Sequence, residues 1–318
     1  MQKLLVAAGL SLVTAPVFAM ECEEGMRAFT HLPGETCIPE DPRRIVATRH
    51  DSLATPLIEL GAPLVGVGVD YDASTGEAFI RRATDILGVN VGEESGLASI
   101  GNANAPDLEA IAALNPDLIL ITAWQVELYD QMQAIAPTLV IPSSLPYLEH
   151  LAMVADAAGV SGTYDRRLEA YQSRIESIRE TLGDPAAISI SYFDLWEEGV
   201  WHYVHWGARD QVTSDIGFSR PEIVRNQTGD HPTDYSFERL PEFEANVVLS
   251  STANRFGQTV EALTTEWDSY APFWRTLPAV QEGRHYWYAR DLWVGYTFTS
   301  LHHVAESLAM LTAGREFD

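Results

Sequence analysis

One stretch of helical sequence divides this chain into two halves. Residues 163–182 contain neither glycine nor proline, and their apolar side chains recur at the spacing of a single helix face. Those apolar residues are Leu168, Tyr171, Ile175, Ile178 and Leu182. At about 1.5 Å per residue, such a helix is roughly 30 Å long, the diameter of a small domain. Because Gly183 and Pro185 follow directly, the pattern predicts a helix that ends there and links two separate halves.

Short apolar segments alternate with helical patterns on both sides of this helix. Before it, the predicted strands are 44–48, 64–69 and 117–122, and the predicted helices are 51–60 and 106–114. After it, the predicted strands are 187–193, 199–206, 246–251 and 285–288, and the first two are expected to form a hairpin. An amphipathic helix at 299–312 follows. Strands that alternate with helices are typical of parallel sheets with crossover helices. The sequence therefore predicts an α/β fold with two Rossmann-like lobes, 20–160 and 184–318, joined by one long helix at 161–183.

The first 19 residues have the features of a secretory signal rather than of a folded segment. Lys3 supplies a positive start, an apolar run covers 4–13, and 17–19 (VFA) fits a small-x-small cleavage site. The apolar run is too short to cross a membrane. Cys22 is not preceded by the residues that direct lipid attachment. We therefore expect residues 1–19 to be a signal peptide, and the mature chain to be an exported, soluble protein without a lipid anchor.

Export also bears on the two cysteines, Cys22 and Cys37, which are the only ones in the chain. An oxidising compartment favours their pairing. Closing a loop of about 15 residues is worth roughly 3 kcal/mol in the chain-entropy model. The alternative is a redox or metal-binding pair, but the C-x-x-C spacing is missing and His31 is the only histidine nearby. We expect a structural disulfide.

The charge balance restricts the partners of this chain. Asp and Glu number 45 against 20 Lys and Arg, which gives a formal net charge of -25. Such a chain repels phosphate backbones, so nucleic acid is not an expected partner. Every cation except Lys3 is an arginine, and the planar arginine fork suits carboxylates and other delocalised anions.

Two segments of the chain echo each other. Residues 107–120 align without a gap with residues 236–249, with apolar side chains at matching positions. Each copy carries a glutamate at its third position, Glu109 in the first and Glu238 in the second. The echo favours two related lobes. The alternative is that any helix feeding a buried strand has this pattern, with glutamate favoured in the first turn by the helix dipole.

Several segments are similar to one known family. They are 42–46 (PRRIV), 104–120 (NAPDLEAIAALNPDLIL), the long middle helix, 274–285 (WRTLPAVQEGRH) and 300–304 (SLHHV). Together they resemble the periplasmic binding proteins of iron-siderophore, haem and cobalamin importers, and above all iron-siderophore binders with a cysteine pair near the mature N-terminus. The resemblance covers nearly the whole chain from about Pro42 onward.

The resemblance implies a class III periplasmic binding protein, a non-catalytic carrier that holds its ligand between two lobes joined by a rigid helix. The ligand would be a ferric siderophore whose organic donors hold the Fe³⁺, so no further cofactor is expected. The partner would be the permease of an inner-membrane ABC transporter, and Glu109 and Glu238 would dock on its arginines, one from each lobe. We expect the protein to act as a monomer.

A ferric siderophore needs aromatic walls and a few oriented donors. We predict the ligand contacts at the loops that follow strands, and Trp293 matches a position where hydroxamate-binding relatives place a tryptophan against the ligand. The candidates are Arg49, His50, Asn102, Trp124, Trp196, Arg209, His231, Arg255, Arg290, Trp293 and Tyr296. The arginines at strand ends suit an anionic ligand. Ordinary surface ion pairing is the alternative for each of them, and Asn102 supplies either a donor or a turn.

The chain departs from hydroxamate binders of this family at 102–104 (NAN), where these often carry an arginine. The resemblance therefore does not carry over the class of siderophore. Haem or cobalamin is an alternative ligand, and haem would need an axial ligand such as His50, His231 or Tyr296. No protein metal site is expected, although His50 or His231 could complete the shell of a tetradentate chelate.

The alternative of another class is a secreted α/β enzyme. Gly66 and Gly68 lack the third glycine of a dinucleotide-binding fingerprint, and the sequence contains neither G-x-S-x-G nor H-E-x-x-H. These absences favour a binding protein.

Overall fold

The computed structural model describes residues 20–72, 75–203, 205–225, 227 and 233–317. The expected signal peptide at 1–19 and the candidate His231 lie outside the described residues. The strands are β1 (Met26–His31), β2 (Gly34–Pro39), β3 (Ile45–Ala47), β4 (Leu64–Tyr71), β5 (Ala78–Phe79), β6 (Ala98–Asn102), β7 (Ala105–Pro106), β8 (Leu118–Thr122), β9 (Thr138–Ile141), β10 (Ile190–Tyr192), β11 (Asp194–Trp196), β12 (Gly199–His202), β13 (Thr233–Tyr235), β14 (Val247–Thr252) and β15 (His285–Ala289).

The α-helices are α1 (Thr55–Leu60), α2 (Leu108–Ala113), α3 (Tyr129–Gln133), α4 (Tyr147–Ala157), α5 (Ser161–Leu182), α6 (Gly207–Ile216), α7 (Glu222–Arg225), α8 (Val260–Tyr270), α9 (Pro278–Gln281), α10 (Arg290–Trp293) and α11 (Phe298–Thr312). Turns of π-helix lie at His50–Ala54 and Ala83–Leu87. Short 3₁₀ segments lie at Ala123–Leu128, Pro185–Ala187, Phe237–Phe243, Asn254–Phe256 and Pro272–Thr276.

The N-terminal lobe is built on a mostly parallel sheet with the strand order β7-β6-β4-β3-β8-β9. Strands β3, β4, β6, β8 and β9 pair in parallel, whereas β7 and β5 add antiparallel edges. Every residue of β3, β8 and β9 is buried, which is the pattern of a sheet covered on both faces. The strands predicted around 44–48, 64–69 and 117–122 are confirmed.

The C-terminal lobe combines two small sheets, a parallel one with the order β10-β14-β15 and an antiparallel one with the order β11-β12-β13. The predicted hairpin was wrong in its pairing. Strand β12 pairs with β11, whereas β10 pairs in parallel with β14. The chain changes sheet at Asp194, whose carboxylate accepts hydrogen bonds from the backbone N–H and the hydroxyl of Ser251.

The long helix α5 confirms the predicted middle helix and begins at Ser161, the start expected for the 161–183 segment. Its buried face packs against α6 and α11 of the C-terminal lobe. Polar contacts strengthen this packing, because the Tyr171 hydroxyl donates to Asp215 and the Arg174 guanidinium forms two bonds to Glu306. The prediction of two α/β lobes joined by one long helix is confirmed.

A second connection between the lobes runs through α1. The Glu59 carboxylate, almost wholly buried, accepts hydrogen bonds from the backbone N–H groups of Phe298 and Thr299 at 2.7 and 2.8 Å. These groups form the free N-terminus of α11, where a carboxylate is favoured by the helix dipole. The Tyr147 hydroxyl donates to the carbonyl of Gly295 at 2.8 Å beside this contact. The N-terminal lobe is therefore bonded directly to the last helix of the C-terminal lobe.

The predicted disulfide between Cys22 and Cys37 is present, with its Cα atoms 5.6 Å apart. It closes the β1–β2 hairpin, which lies against the edge of the N-terminal sheet. The backbone N–H of Leu32 donates to the Val140 carbonyl, and the N–H of Val140 donates to Nδ1 of His31. The pair is thus a structural crosslink of a peripheral hairpin.

We expect the double substitution Cys22→Ser/Cys37→Ser to lower the free energy of unfolding by about 3 kcal/mol, because the unfolded chain regains the entropy of an open loop. Urea unfolding followed by tryptophan fluorescence measures this loss. Wild-type protein unfolded in the presence of a reductant is the matched control and should behave like the variant. Equal unfolding midpoints with and without the crosslink would contradict the prediction.

Candidate functional site

The carboxyl ends of the parallel strands form one edge of each lobe. In the N-terminal lobe this edge carries Arg49 after β3, Asp70 near the end of β4, Asn102 at the end of β6 and Trp124 after β8. In α/β sheets, ligands bind outside the carboxyl ends of the strands. Three predicted candidates, Arg49, Asn102 and Trp124, therefore lie at one rim, and Asp70 joins them there.

Arg49 is held by a polar turn on this rim. One of its guanidinium nitrogens donates to the Asn104 side-chain oxygen at 2.6 Å. The Asn102 side-chain oxygen accepts from the backbone N–H of Asn104 at 2.8 Å. Of the two roles considered for Asn102, the structure shows the turn. This turn holds Asn104, the partner of Arg49, in place. The Arg49 side chain remains partly exposed.

Trp124 projects from the same rim, and 75% of it is exposed. Its neighbour Gln125 is buried and anchors the 3₁₀ segment that carries it. The Gln125 amide donates to the Ala103 carbonyl, and its oxygen accepts from the Thr48 hydroxyl at 2.6 Å. The indole of Trp124 is therefore exposed at the rim and is available to a ligand.

His50 lies below the rim and is only 2% exposed. Its Nε2 lies 3.2 Å from a carboxylate oxygen of Asp70, and Asp51 lies 3.8 Å from Nδ1. The hydrogen bond from His50 is the main cause that lowers the pKa of Asp70. Among the described residues, no group of three or more His, Cys, Asp or Glu could hold a metal ion. The geometry gives His50 a structural partner rather than an open ligand position.

In the C-terminal lobe, Arg290 follows β15 and lies at the corresponding edge. Its Nε donates to the Ser251 hydroxyl oxygen at 3.0 Å, and that hydroxyl donates to the Asp194 carboxylate at 2.8 Å. Burial is the largest influence on Asp194 and raises its pKa. Ser251 and Asp194, both buried, therefore form a chain of hydrogen bonds that orients Arg290.

A cavity of about 200 Å³ opens beside Arg290, between the β11–β12 hairpin and α8. Trp196, which is 37% exposed and packed on Trp201, forms one wall together with Tyr270. Further lining residues are the carboxylates Glu197, Glu198 and Glu266. The C-terminal half of the site therefore has aromatic walls and mixed charge.

Arg209 does not lie at this edge, and the prediction of a ligand contact is corrected. It is 2% exposed, and its guanidinium donates to the Tyr288 hydroxyl, the Asp210 carboxylate and the Tyr203 carbonyl. It also stacks over the Tyr192 ring, with 4.6 Å from Cζ to the ring centroid. These partners occupy the guanidinium inside the C-terminal lobe because α6 points its first turn inward.

Trp293 is also a core residue in the structure, at 4% exposure. It stacks on Tyr288 with 4.8 Å between ring centroids, so its burial does not support the predicted ligand contact. Tyr296 stacks on Tyr147 at 5.0 Å and contacts His150, and burial raises the pKa of its hydroxyl. Both aromatic rings pack where the lobes join.

Arg255 reaches the other lobe instead of an open cleft. Its guanidinium lies 2.5 Å from a carboxylate oxygen of Asp85 and 3.8 Å from one of Asp72. It also lies over the Phe79 ring at 4.6 Å. Arg255 therefore connects the two lobes instead of making the predicted ligand contact.

Sequence reasoning missed two further charged residues at this junction, Arg81 and Arg82. Arg81 donates to the Asp291 carboxylate at 3.1 Å, and Arg82 lies 3.7 Å from Asp51 and 3.7 Å from Asp291. The sequence offered no specific signal for them, because adjacent arginines also occur at 43–44 and 166–167.

The two predicted docking carboxylates are both exposed. Glu109 lies in the first turn of α2, and Glu238 lies in the first turn of the 3₁₀ segment that precedes β14. The two echoing segments thus form the same unit, a short helical segment followed by a central parallel strand.

Comparison with known proteins assigns this architecture to a family. The sequence pattern of the family described as "Periplasmic binding protein" matches residues 57–291, which is more than half of the chain. The chain belongs to this family, whose members are binding proteins rather than enzymes. In the described part of the chain, no helix is both long enough and apolar enough to cross a membrane.

Individual relatives fit this assignment. The "Probable siderophore-binding lipoprotein YfiY" of Bacillus subtilis strain 168 is 27% identical over 258 residues, 77% of this chain and 74% of the relative. The "Fe(3+)-citrate-binding protein YfmC" of the same strain is 24% identical and covers 83% of this chain and 78% of its own length. The crystal structure of Staphylococcus aureus SirA complexed with staphyloferrin B is similar with a TM-score of 0.71 at 20% identity, covering 91% of this chain and 100% of that one.

The structure separates two arginines that the sequence treats alike. We expect Arg209→Gln to lower the free energy of unfolding by about 3 kcal/mol, since it removes one of the two arginines paired with the buried Asp210 carboxylate and the hydrogen bonds to Tyr288 and Tyr203. Arg290→Gln is the matched control and should remain within about 1 kcal/mol of wild type, because its guanidinium lies at an open edge. Urea unfolding measures both. Equal losses in the two variants would show that the assignment is wrong.

Proposed function

We propose that this protein captures a ferric siderophore between its two lobes and delivers it to the permease of an ABC transporter. The observation that carries the proposal is the pair of rims at the strand ends, one on each lobe. Each rim presents an exposed indole, Trp124 or Trp196, and an arginine held by neighbouring side chains, Arg49 or Arg290. The binding partners named for YfiY and YfmC support this ligand class.

The chemistry of the rims fits a ferric chelate. A siderophore surrounds Fe³⁺ with an organic shell, so the protein meets apolar surface and peripheral oxygens rather than the metal. Burying the exposed indoles contributes about 25 cal/mol per Å² of apolar surface. Arginines with fixed orientation form charge-assisted hydrogen bonds to carboxylate or catecholate oxygens. In this proposal the siderophore alone coordinates the iron.

The two halves of the site differ in charge. Arg49 is the ligand-facing cation of the N-terminal rim, whereas the cavity beside Arg290 also presents Glu197, Glu198 and Glu266. A chelate that is anionic at one end and carries hydroxyl or amine donors at the other satisfies both halves. Haem is not proposed, because His50 and Tyr296 are already packed against protein partners.

The proposal also covers the export of the protein and the place where it acts. The signal at 1–19 directs export, and the mature protein acts in the periplasm as a soluble monomer without a lipid anchor. The units 20–160 and 184–318 act as two bodies on either side of α5. Because a regular helix bends only at a kink, α5 limits their relative motion to small angles.

Quenching of tryptophan fluorescence by ferric chelates tests the ligand class. The purified protein is titrated with ferric complexes of hydroxamate, catecholate and carboxylate siderophores, and with haem. We expect saturable quenching by at least one ferric siderophore. The iron-free siderophores and bovine albumin are the controls for inner-filter effects. Binding of haem alone, or no saturable quenching, would rule out the proposal.

The strand β3 offers a matched pair of variants for this titration. Arg49 follows the strand at its carboxyl end, whereas Arg44 precedes it and donates to the carbonyls of Leu114 and Asn115 at the opposite edge. We expect Arg49→Gln to weaken the affinity for the quenching chelate about tenfold, the loss of one charged hydrogen bond. Arg44→Gln should leave the affinity unchanged. Equal effects of the two substitutions would place the site elsewhere.

Delivery to a permease is proposed to depend on Glu109 and Glu238. We expect Glu109→Lys/Glu238→Lys to abolish uptake of the radiolabelled ferric chelate by cells that lack the wild-type gene, since each reversal places like charges across the dock. Chelate binding by the purified variant should be unchanged. Glu176→Lys, an exposed reversal on α5, is the matched control and should retain uptake. Normal uptake in the double variant would exclude these docking residues.

A further inference from the structure

Arginines cross between the lobes in both directions at one end of the cleft. Arg81, from the N-terminal lobe, donates to Asp291 of the C-terminal lobe at 3.1 Å and lies over the Phe256 ring at 5.1 Å. Arg255, from the C-terminal lobe, bonds in return to Asp85 of the N-terminal lobe and lies over the Phe79 ring. We refer to Arg81 and Arg255 as the crossed arginines.

The two arms make the same kind of contact in opposite directions. Each guanidinium is held by a carboxylate along its edge and by an aromatic ring below its face, so its position is restrained in two directions. Because one arm starts from each lobe, the pair resists both sliding and separation of the lobes at this end. A single ion pair would restrain the lobes at this end in one direction only.

A third arginine fills the space behind the crossed arginines. Arg82 is 6% exposed and lies 3.7 Å both from Asp51 of the N-terminal lobe and from Asp291. Its backbone has φ 70°, an uncommon conformation for a non-glycine residue that persists only when neighbouring contacts hold it. The segment that carries Arg81 is therefore tightly held.

The contacts are better shielded than ordinary surface pairs. The side chains of Arg81 and Asp291 are 25% and 13% exposed, and those of Arg255 and Asp85 are 30% and 35% exposed. Partly buried pairs are screened by salt less than exposed ones. All of these contacts are made between protein groups, so they need no ligand in order to form.

We propose that the crossed arginines set the distance between the lobes before a ligand arrives, and that they thereby limit the size of the chelate that the cleft accepts. The part of this inference that concerns the chelate rests on the proposed function. The part that concerns the lobe distance does not.

The lobe distance is measured on the full-length protein with one spin label on each lobe. Glu94 and Glu261 are exposed positions for the labels, and the described cysteines are paired, so only the introduced thiols react. We expect a narrow distance distribution in the wild type. In Arg81→Gln/Arg255→Gln it should become broader and move to longer distances. An unchanged distribution in this variant would overturn the inference.

One arginine of the C-terminal lobe provides a matched control. Arg239 pairs with Glu242 and lies over the Tyr235 ring at 4.8 Å, which reproduces the contacts of a crossed arginine within one lobe. Arg239→Gln should leave the distance distribution as in the wild type.

The effect on size selection is measured with two probes, ferric citrate and the bulkier ferrioxamine B, by fluorescence quenching. We expect the ratio of affinities to shift toward ferrioxamine B by about threefold or more in Arg81→Gln/Arg255→Gln, which is more than half a kcal/mol. A wider distance with an unchanged ratio would overturn the size limit. If neither probe bound the wild type, the proposed function would be weakened, and the distance measurement would still decide on the crossed arginines.

Discussion

The structure depends on the buried contact between the Glu59 carboxylate and the N-terminus of α11. A helix start carries free N–H groups and a partial positive charge, and a carboxylate that meets both is worth up to about 2 kcal/mol when partly buried. Here the carboxylate belongs to one lobe and the helix to the other. With α5 and the ion pairs of Arg81, Arg82 and Arg255, this contact connects the two lobes. Together these connections fix how the two lobes sit against each other.

The rims of the cleft are ordered by buried polar side chains that sequence patterns do not reveal. Gln125 anchors the segment that exposes Trp124. Ser251 is hydrogen-bonded to both Asp194 and Arg290 and thereby orients Arg290. Each of these buried groups is bonded on more than one side, which is how polar atoms are accommodated inside proteins. The segment that carries Trp124 and the guanidinium of Arg290 are therefore held in place by buried partners. Groups that are already held in place lose less entropy when they bind a partner.

Most of the fold could be predicted because the patterns that specify it are local. The period of apolar residues in α5 and the all-buried strands of both lobes depend only on neighbours in the sequence. The pairing of β12 could not be predicted, since the switch of sheet at Asp194 depends on Ser251, far along the chain. The site was predicted less well. Arg209, Trp293 and Arg255 all follow strands or begin helices, yet two of them are buried and the third spans the lobes.

The sequence by itself determined the two α/β halves, the helix between them and the family. These features follow from the spacing of residue types, which acts over a few turns or one strand. Only the tertiary structure decided which arginines and indoles at the strand ends face outward and which complete the core. That choice depends on the burial of each guanidinium against partners far away in sequence, as Arg290 at the open rim and Arg209 beneath it show. A buried charge requires such partners, and only the folded chain brings them together.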